Sequence, residues 1–317
     1  MTPVGGVVAV HAHPDDESLS TGALLATWAH AERPVTVVTC TRGERGEVIG
    51  ADLAHLEGDG PALAAHREGE LARALAALGV RDHVFLDGAA GPRADRYEDS
   101  GMAWLGAGLA GSTADVPPRA FVAVPVDVAA ARLARVLRDR RPDVVVTYEP
   151  AGGYGHPDHV HAHRVTERAL ELAATAADDD HPAHRVPTVL WAAQREDALR
   201  AAYRALAPTA DASGAARGDR LLTAPDPGGD LPSVAVPSVD VDVEVAVPPV
   251  RDAVLAALRA HGTQVQAVEA VDGDDALVGR YALSNDVLAP LLPTEGYRLA
   301  RGTTSTLTGV AGIRPVA

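Results

Sequence analysis

Short apolar runs rich in β-branched residues alternate with helical stretches through the first 195 residues. "VGGVVAV", "VTVVTC", "HVFL", "DVVVTY" and "TVLWA" read as strands. Between them lie four helical patterns: 18–32, the strong "PALAAHREGELARALAALG" ending at Gly79, 127–140 stopped by Pro142, and 158–177. Strands alternating with helices predict an α/β fold, a Rossmann-like and mostly parallel sheet with helices on both faces. Residues 204–233, rich in Ala, Pro, Gly and Asp, read as a linker or excursion. Beyond it "VDVDVEVAV" alternates with period two and "PPVRDAVLAALRAH" is a helix opened by prolines. The expected organisation is a Rossmann-like catalytic domain over 1–200 and a smaller C-terminal α+β subdomain over 201–317 that completes a substrate pocket.

In such sheets ligands bind outside the carboxyl ends of the strands. Three polar loops follow strands directly: "HAHPDDE", "CTRGERGEVIG" and "YEPAGGYGHPDH". The first and third share a His-Pro-Asp core. Buried charges need a partner or a metal, and two such turns at the ends of strands in one sheet favour a metal site. His13 and Asp16 come from the first turn; His156 and His159, three apart at a helix entrance, can face the same pocket. Two histidines and one carboxylate suit zinc, or ferrous iron, and leave Asp15 and Asp158 for proton transfer and for orienting the ligands. Glu17 is expected to point away or to cap the following helix. His161 and His163 are expected on a helix surface, and Asp178, Asp179, Asp180 and His181 in a solvated loop.

Composition narrows the chemistry. Of 317 residues, 47% are hydrophobic, as in a globular chain. Acidic residues outnumber basic ones by 15, which argues against nucleic acid or an anionic membrane as partner. Every basic residue is Arg, so mechanisms that need Lys are excluded. No GxGxxG follows the first strand, which disfavours a dinucleotide enzyme. The single Cys40 reads as a small buried residue in a protein from a reducing compartment. With no leader pattern and no membrane-length apolar run, a cytoplasmic location is expected.

"HAHPDDESLS", the "GE.GEVIG" stretch, "DSGM" and "DVVVTYEP.GGYGHPDHVH" together resemble the LmbE/PIG-L family of metal-dependent N-deacetylases. "AAL.AHGTQV" and "ALSN" near the C-terminus extend the likeness. The resemblance implies one zinc held by His13, Asp16 and His159, with Asp15 as general base. It implies His156, as an imidazolium oriented by Asp158, and Tyr154 as stabilisers of the oxyanion. For an amino-sugar substrate it points to Arg67, Asp99 and Glu47, with His261 and Gln264 lining the pocket. The implied reaction is hydrolysis of the acetamide of 1-D-myo-inosityl 2-acetamido-2-deoxy-α-D-glucopyranoside, a step of mycothiol biosynthesis. The alternatives are a mycothiol S-conjugate amidase, another amino-sugar deacetylase, or a non-catalytic metal- or sugar-binding module. Arg45 and an expanded segment at 103–118 depart from the family pattern near the expected sugar pocket.

Overall fold

The computed structural model describes residues 5–90, 96–106, 109–111, 116–175, 181–213 and 221–316. Asp178, Asp179 and Asp180 of the expected solvated loop, and parts of the 103–118 segment, lie outside the described residues. Among the described residues a nine-stranded sheet dominates. Its parallel part runs in the order Asp82–Phe85, Val35–Thr39, Val7–His11, Val144–Thr147, Thr188–Arg195. Three strands from the C-terminal third then continue the sheet antiparallel: Thr294–Gly302, Val243–Ala246 and Ile313–Pro315. The ninth, Ala235–Val236, pairs with the end of Thr188–Arg195.

The alternation of a pleated strand distributes side chains to the two faces. Val7, Ala9, Val35, Val37, Val144 and Val146 pack on one side with the helices Gly22–His30, Gly60–Leu78 and Arg251–Ala260. Val8, Val10, Val38 and Val145 pack on the other with Val126–Arg140 and Pro157–Ala174. Cys40 is fully buried there, as its setting suggested. The helix Gly60–Leu78 shows how local sequence sets its ends. The Asp59 carboxylate accepts the Ala62 N–H at 3.1 Å, and Gly79 at φ +78° ends it in the left-handed region.

Two expectations about helices need correction. The stretch 18–32 is broken, with Asp16–Ser20 and Gly22–His30 meeting at Thr21. The helix Glu196–Ser213 runs into the expected linker, because Leu199, Ala202 and Leu206 recur at helical spacing and are buried. The Ala- and Pro-rich composition hid that stripe. A separate three-stranded sheet, Gln266–Ala270, Gly279–Ala282 and Leu288–Leu291, packs its Ala282 and Leu288 with Ala202 and Leu206 of this helix.

Strand order reverses at Val7–His11, whose neighbours are Val35–Thr39 on one side and Val144–Thr147 on the other. The two His-Pro-Asp turns leave the sheet on either side of this reversal. That is the crevice in which doubly wound sheets bind ligands.

Candidate active site

The first turn follows directly from Val7–His11, and the second opens the helix Pro157–Ala174. Pro157 suits the first turn of that helix, where an amide hydrogen would have no partner. The turns bring three imidazoles together: ring centroids lie 4.5 Å apart for His13 and His156, 4.8 Å for His156 and His159, and 5.3 Å for His13 and His159. All three are buried, as are Asp16, Asp99 and Asp158. Nitrogens of the three histidines lie within 4.8 Å of one another, as do atoms of His13, Asp99 and Asp158.

Hydrogen bonds fix which nitrogens are free. His159 Nδ1 donates to the Gly152 carbonyl at 3.1 Å, so its Nε2 carries the lone pair. That Nε2 is buried without a hydrogen-bond partner and faces Asp16 Oδ1 at 3.2 Å. His13 Nε2 donates to Asp158 Oδ2 at 3.2 Å, which leaves Nδ1 facing Asp16 Oδ2 at 3.4 Å. Both nitrogens thus converge on one carboxylate, each at a position that a proton or a divalent cation can fill. The donor set therefore fits a divalent metal, with Asp158 and Gly152 fixing the two tautomers from behind. Asp158 is itself held by Ser100, whose N–H and Oγ donate to it at 2.9 and 2.5 Å.

The electrostatics follow from the same crowding. Burial works to raise the Asp16 carboxyl, but His159 and His13 outweigh it and hold it well below the ordinary value. Burial likewise works to depress His13, but Asp99, Asp158 and Asp16 hold it well above. Asp15 behaves differently: burial pushes its carboxyl up to about 6, against the pull of Arg67. Asp15 also sits at φ 119°, in the left-handed half of backbone space that a non-glycine residue adopts only when its surroundings impose it.

His156 requires a correction. The sequence suggested an imidazolium oriented by the Asp158 carboxylate, but that carboxylate faces His13 and Ser100. His156 Nδ1 instead accepts the Asp158 backbone N–H at 3.1 Å. Burial, with His13 and His159 nearby, holds His156 well below the usual histidine value, so the ring is neutral. Its hydrogen then sits on Nε2, a donor that needs no positive charge.

Tyr154 lies 5.0 Å from the His159 ring, in a glycine loop whose amides are capped by Glu149: its carboxylate accepts Ala151 N–H at 2.5 Å and Gly153 N–H at 2.7 Å. A cleft of about 560 Å³ reaches Asp16, His159 and Tyr154, and is walled on its far side by Tyr203, Tyr281 and Leu288.

The expected sugar contacts are placed less uniformly. Arg67 is buried, donating to the carbonyls of Gly43 at 2.6 Å and Pro14 at 2.5 Å, with Nη2 3.3 Å from Asp15 Oδ2. Only glycine fits opposite it, since a Cβ on Gly43 would lie 2.0 Å from Arg67 Nη1. Asp99 accepts Gly101 N–H at 2.7 Å and Arg45 N–H at 3.3 Å, and faces His13 at 3.7 Å. Glu47 is exposed and lines a different, acidic cavity with Glu57 and Asp286. Gln264 bonds to the Glu47 carbonyl at 3.0 Å.

His261 does not line the cleft. It is fully buried and bonds Glu17 Oε1 at 2.7 Å, because a buried carboxylate demands a partner. Glu17, expected to point away or to cap the following helix, is likewise fully buried and accepts the Asp15 N–H at that helix's start. His161 and His163 are buried rather than on a helix surface, the first edge-on to Phe121 and the second bonded to the Tyr148 carbonyl at 2.9 Å. Residues missed in the sequence are Ser100, Glu149 and Tyr148. The Tyr148 ring stacks on His159 at 4.1 Å, and its hydroxyl accepts Ala12 N–H at 2.9 Å. Its place at the end of "VVVTY" was the available signal.

A carboxylate beside a buried cluster of histidines and acids, at the switch point of an α/β sheet, is the arrangement that metal-dependent hydrolases require. The GlcNAc-PI de-N-acetylase (PIG-L) family matches residues 8–170, and the chain belongs to that family. It is 48% identical to a 1D-myo-inositol 2-acetamido-2-deoxy-alpha-D-glucopyranoside deacetylase of Kineococcus radiotolerans, over 93% of this chain and 77% of the relative. A protein of the same description from Streptomyces griseus is 44% identical, over 95% and 84%. Among solved structures, the 4-carboxy-2-hydroxymuconate hydratase of Pseudomonas putida KT2440 superposes with a TM-score of 0.53 at 15% identity, over 95% of this chain and 98% of the other. That likeness concerns the fold alone. Among the described residues no helix is long and apolar enough to cross a membrane.

Proposed function

We propose that this chain is the zinc-dependent hydrolase that removes acetate from 1D-myo-inositol 2-acetamido-2-deoxy-α-D-glucopyranoside and leaves the free amine. The observation that carries the reading is Asp15 beside two buried imidazoles, His13 and His159, whose Nδ1 and Nε2 both face Asp16. A pure binding module has no use for a base beside a complete ligand set. The names of relatives at 48% and 44% identity support the substrate, and a cleft of about 560 Å³ falls in the range that holds small molecules.

In this reading His13, Asp16 and His159 hold the cation, Arg67 holds the Asp15 carboxylate, and Asp99 and the cleft wall beyond residue 200 shape the sugar site. A divalent metal bound there supplies Lewis acidity toward water and the acetamide carbonyl. Asp15 takes a proton from the attacking water and passes it to the departing nitrogen, so that acetate and amine are the products. The neutral His156, through Nε2–H, and the Tyr154 hydroxyl donate to the carbonyl oxygen as it gains charge. The deciding experiment measures metal content and acetate release from the acetylated pseudodisaccharide, beside cleavage of a mycothiol S-conjugate. Stoichiometric zinc with faster turnover of the acetylated precursor is expected; faster turnover of the conjugate overturns the substrate assignment.

A further inference from the structure

Asp15 must present its carboxylate to the reacting atoms from a backbone conformation that disfavours any side chain, at φ 119° and ψ −33°. Something has to hold that peptide. Its N–H donates to Glu17 Oε2 at 2.9 Å, two residues along. The other oxygen of Glu17 accepts Ser18 Oγ at 2.6 Å and His261 Nε2 at 2.7 Å. Glu17 and His261 are both fully inaccessible to solvent, although 244 residues separate them. The turn after His261 is fixed in its own right, since Glu70 accepts Thr263 N–H at 2.8 Å and Thr263 Oγ1 at 2.6 Å.

We propose that Glu17 and His261 form a positioning pair that locks the Asp15 peptide in its left-handed conformation and so aims the base. This rests on the hydrolase reading above. The helix Gly60–Leu78 then reaches Asp15 by two routes. Arg67 meets its carboxylate directly, and Glu70 steadies its amide through Thr263, His261 and Glu17. Without that acceptor the half-buried Asp15 N–H would lose its partner. The peptide would then relax toward ordinary helical angles, swinging the carboxylate off Arg67. A displacement of about 1 Å at a reacting group lowers rates on the order of 100-fold.

The test compares Glu17→Met, which keeps the volume and removes the acceptor, with Glu17→Gln, which keeps an oxygen for the Asp15 amide. A third variant, Glu17→Asp, keeps the charge for folding but is too short to reach both partners. Expected are a kcat loss of roughly 10- to 100-fold for Glu17→Met and about 10-fold for Glu17→Asp. In both, KM stays within about twofold and metal content is full, while Glu17→Gln lies within about threefold of wild type. A purely structural role would lower stability without this graded kcat pattern. Folded Glu17→Met or Glu17→Asp with wild-type kcat overturns the proposal, as does a rate loss that tracks lost metal. Amide exchange over residues 13–16 gives a second readout that needs no substrate: it should be faster in Glu17→Met than in Glu17→Gln. A wild type inactive on the pseudodisaccharide would refute the substrate reading while leaving this comparison intact.

Discussion

Arg67→Met separates two roles for a residue whose sequence setting suggested a sugar contact. In the structure the guanidinium is spent on the protein, spanning the carbonyls of Gly43 and Pro14 and facing the Asp15 carboxylate at 3.3 Å. Met fills a similar length with a flexible apolar chain, so the packing loss is small and the polar loss dominates. Each hydrogen bond from a charged donor contributes about 1.5–3 kcal/mol, and breaking a buried ion pair by removing one partner costs about 3–5 kcal/mol. The same contacts enter both figures, so a destabilisation of about 3–5 kcal/mol is the combined expectation. For a chain of 317 residues, an unfolding entropy of about 2.1 cal/mol/K per residue turns this into a Tm lower by roughly 4–8 °C. Asp15 loses the cation that holds its carboxylate, so kcat should fall about 10- to 100-fold while KM rises less than about threefold. Arg67→Lys should be intermediate, because one ammonium cannot span two carbonyls and a carboxylate. Calorimetry and steady-state kinetics on the metal-loaded enzyme provide the assay. If KM rises tenfold or more with Tm and kcat unchanged, Arg67 serves the substrate and the reasoning fails.

Other outcomes follow from the same geometry. Asp15→Asn should lower turnover by about 10²- to 10⁴-fold with metal still bound at wild-type stoichiometry; loss of the metal would make Asp15 a ligand instead. Stripping the metal with a chelator should lower the melting temperature by about 4 °C, since a ligand at a hundred times its Kd stabilises by about 2.7 kcal/mol, and re-adding zinc should restore it; an unchanged melting curve would contradict the cation site. Tyr154→Phe should reduce kcat about tenfold with little change in KM, and an equal kcat would remove the hydroxyl from the oxyanion's donors. Away from the site, burial works to raise Asp82, but Arg140, at 2.7 Å, and Thr36 hold its carboxyl below the model-compound value of 3.8. A depressed native value contributes stability above 3.8 that is lost as pH falls through the native value. Asp82→Asn should therefore cost roughly 1–3 kcal/mol at pH 7, with the gap to wild type closing at acid pH in urea titrations; a pH-independent gap would show that charge plays no part.

The sequence showed most clearly those features whose causes lie close together along the chain. β-branched runs identified the five strands of the parallel part of the sheet, because both faces of "VVAV" and "VVVTY" are buried and favour Val over charged residues. The two His-Pro-Asp turns were legible for the same reason: a strand end, a proline and a helix start fix their direction. What the text hid was which atom of a legible residue faces which partner. Asp158 was expected to serve His156, two positions away, yet its carboxylate turns to His13 across the sheet, and only its backbone N–H meets His156. Glu17 lies beside two acids and a helix start, where capping is the local solution. It does accept the Asp15 N–H there, but its other oxygen takes His261, which arrives from the far end of the chain. Charge at a strand end thus reveals where chemistry sits, whereas the division of those charges into ligand, base and support depends on tertiary contacts that no local window contains. The buried histidines 161 and 163 make the same point in reverse, since a helix packed on both sides buries polar positions that a one-faced helix would expose.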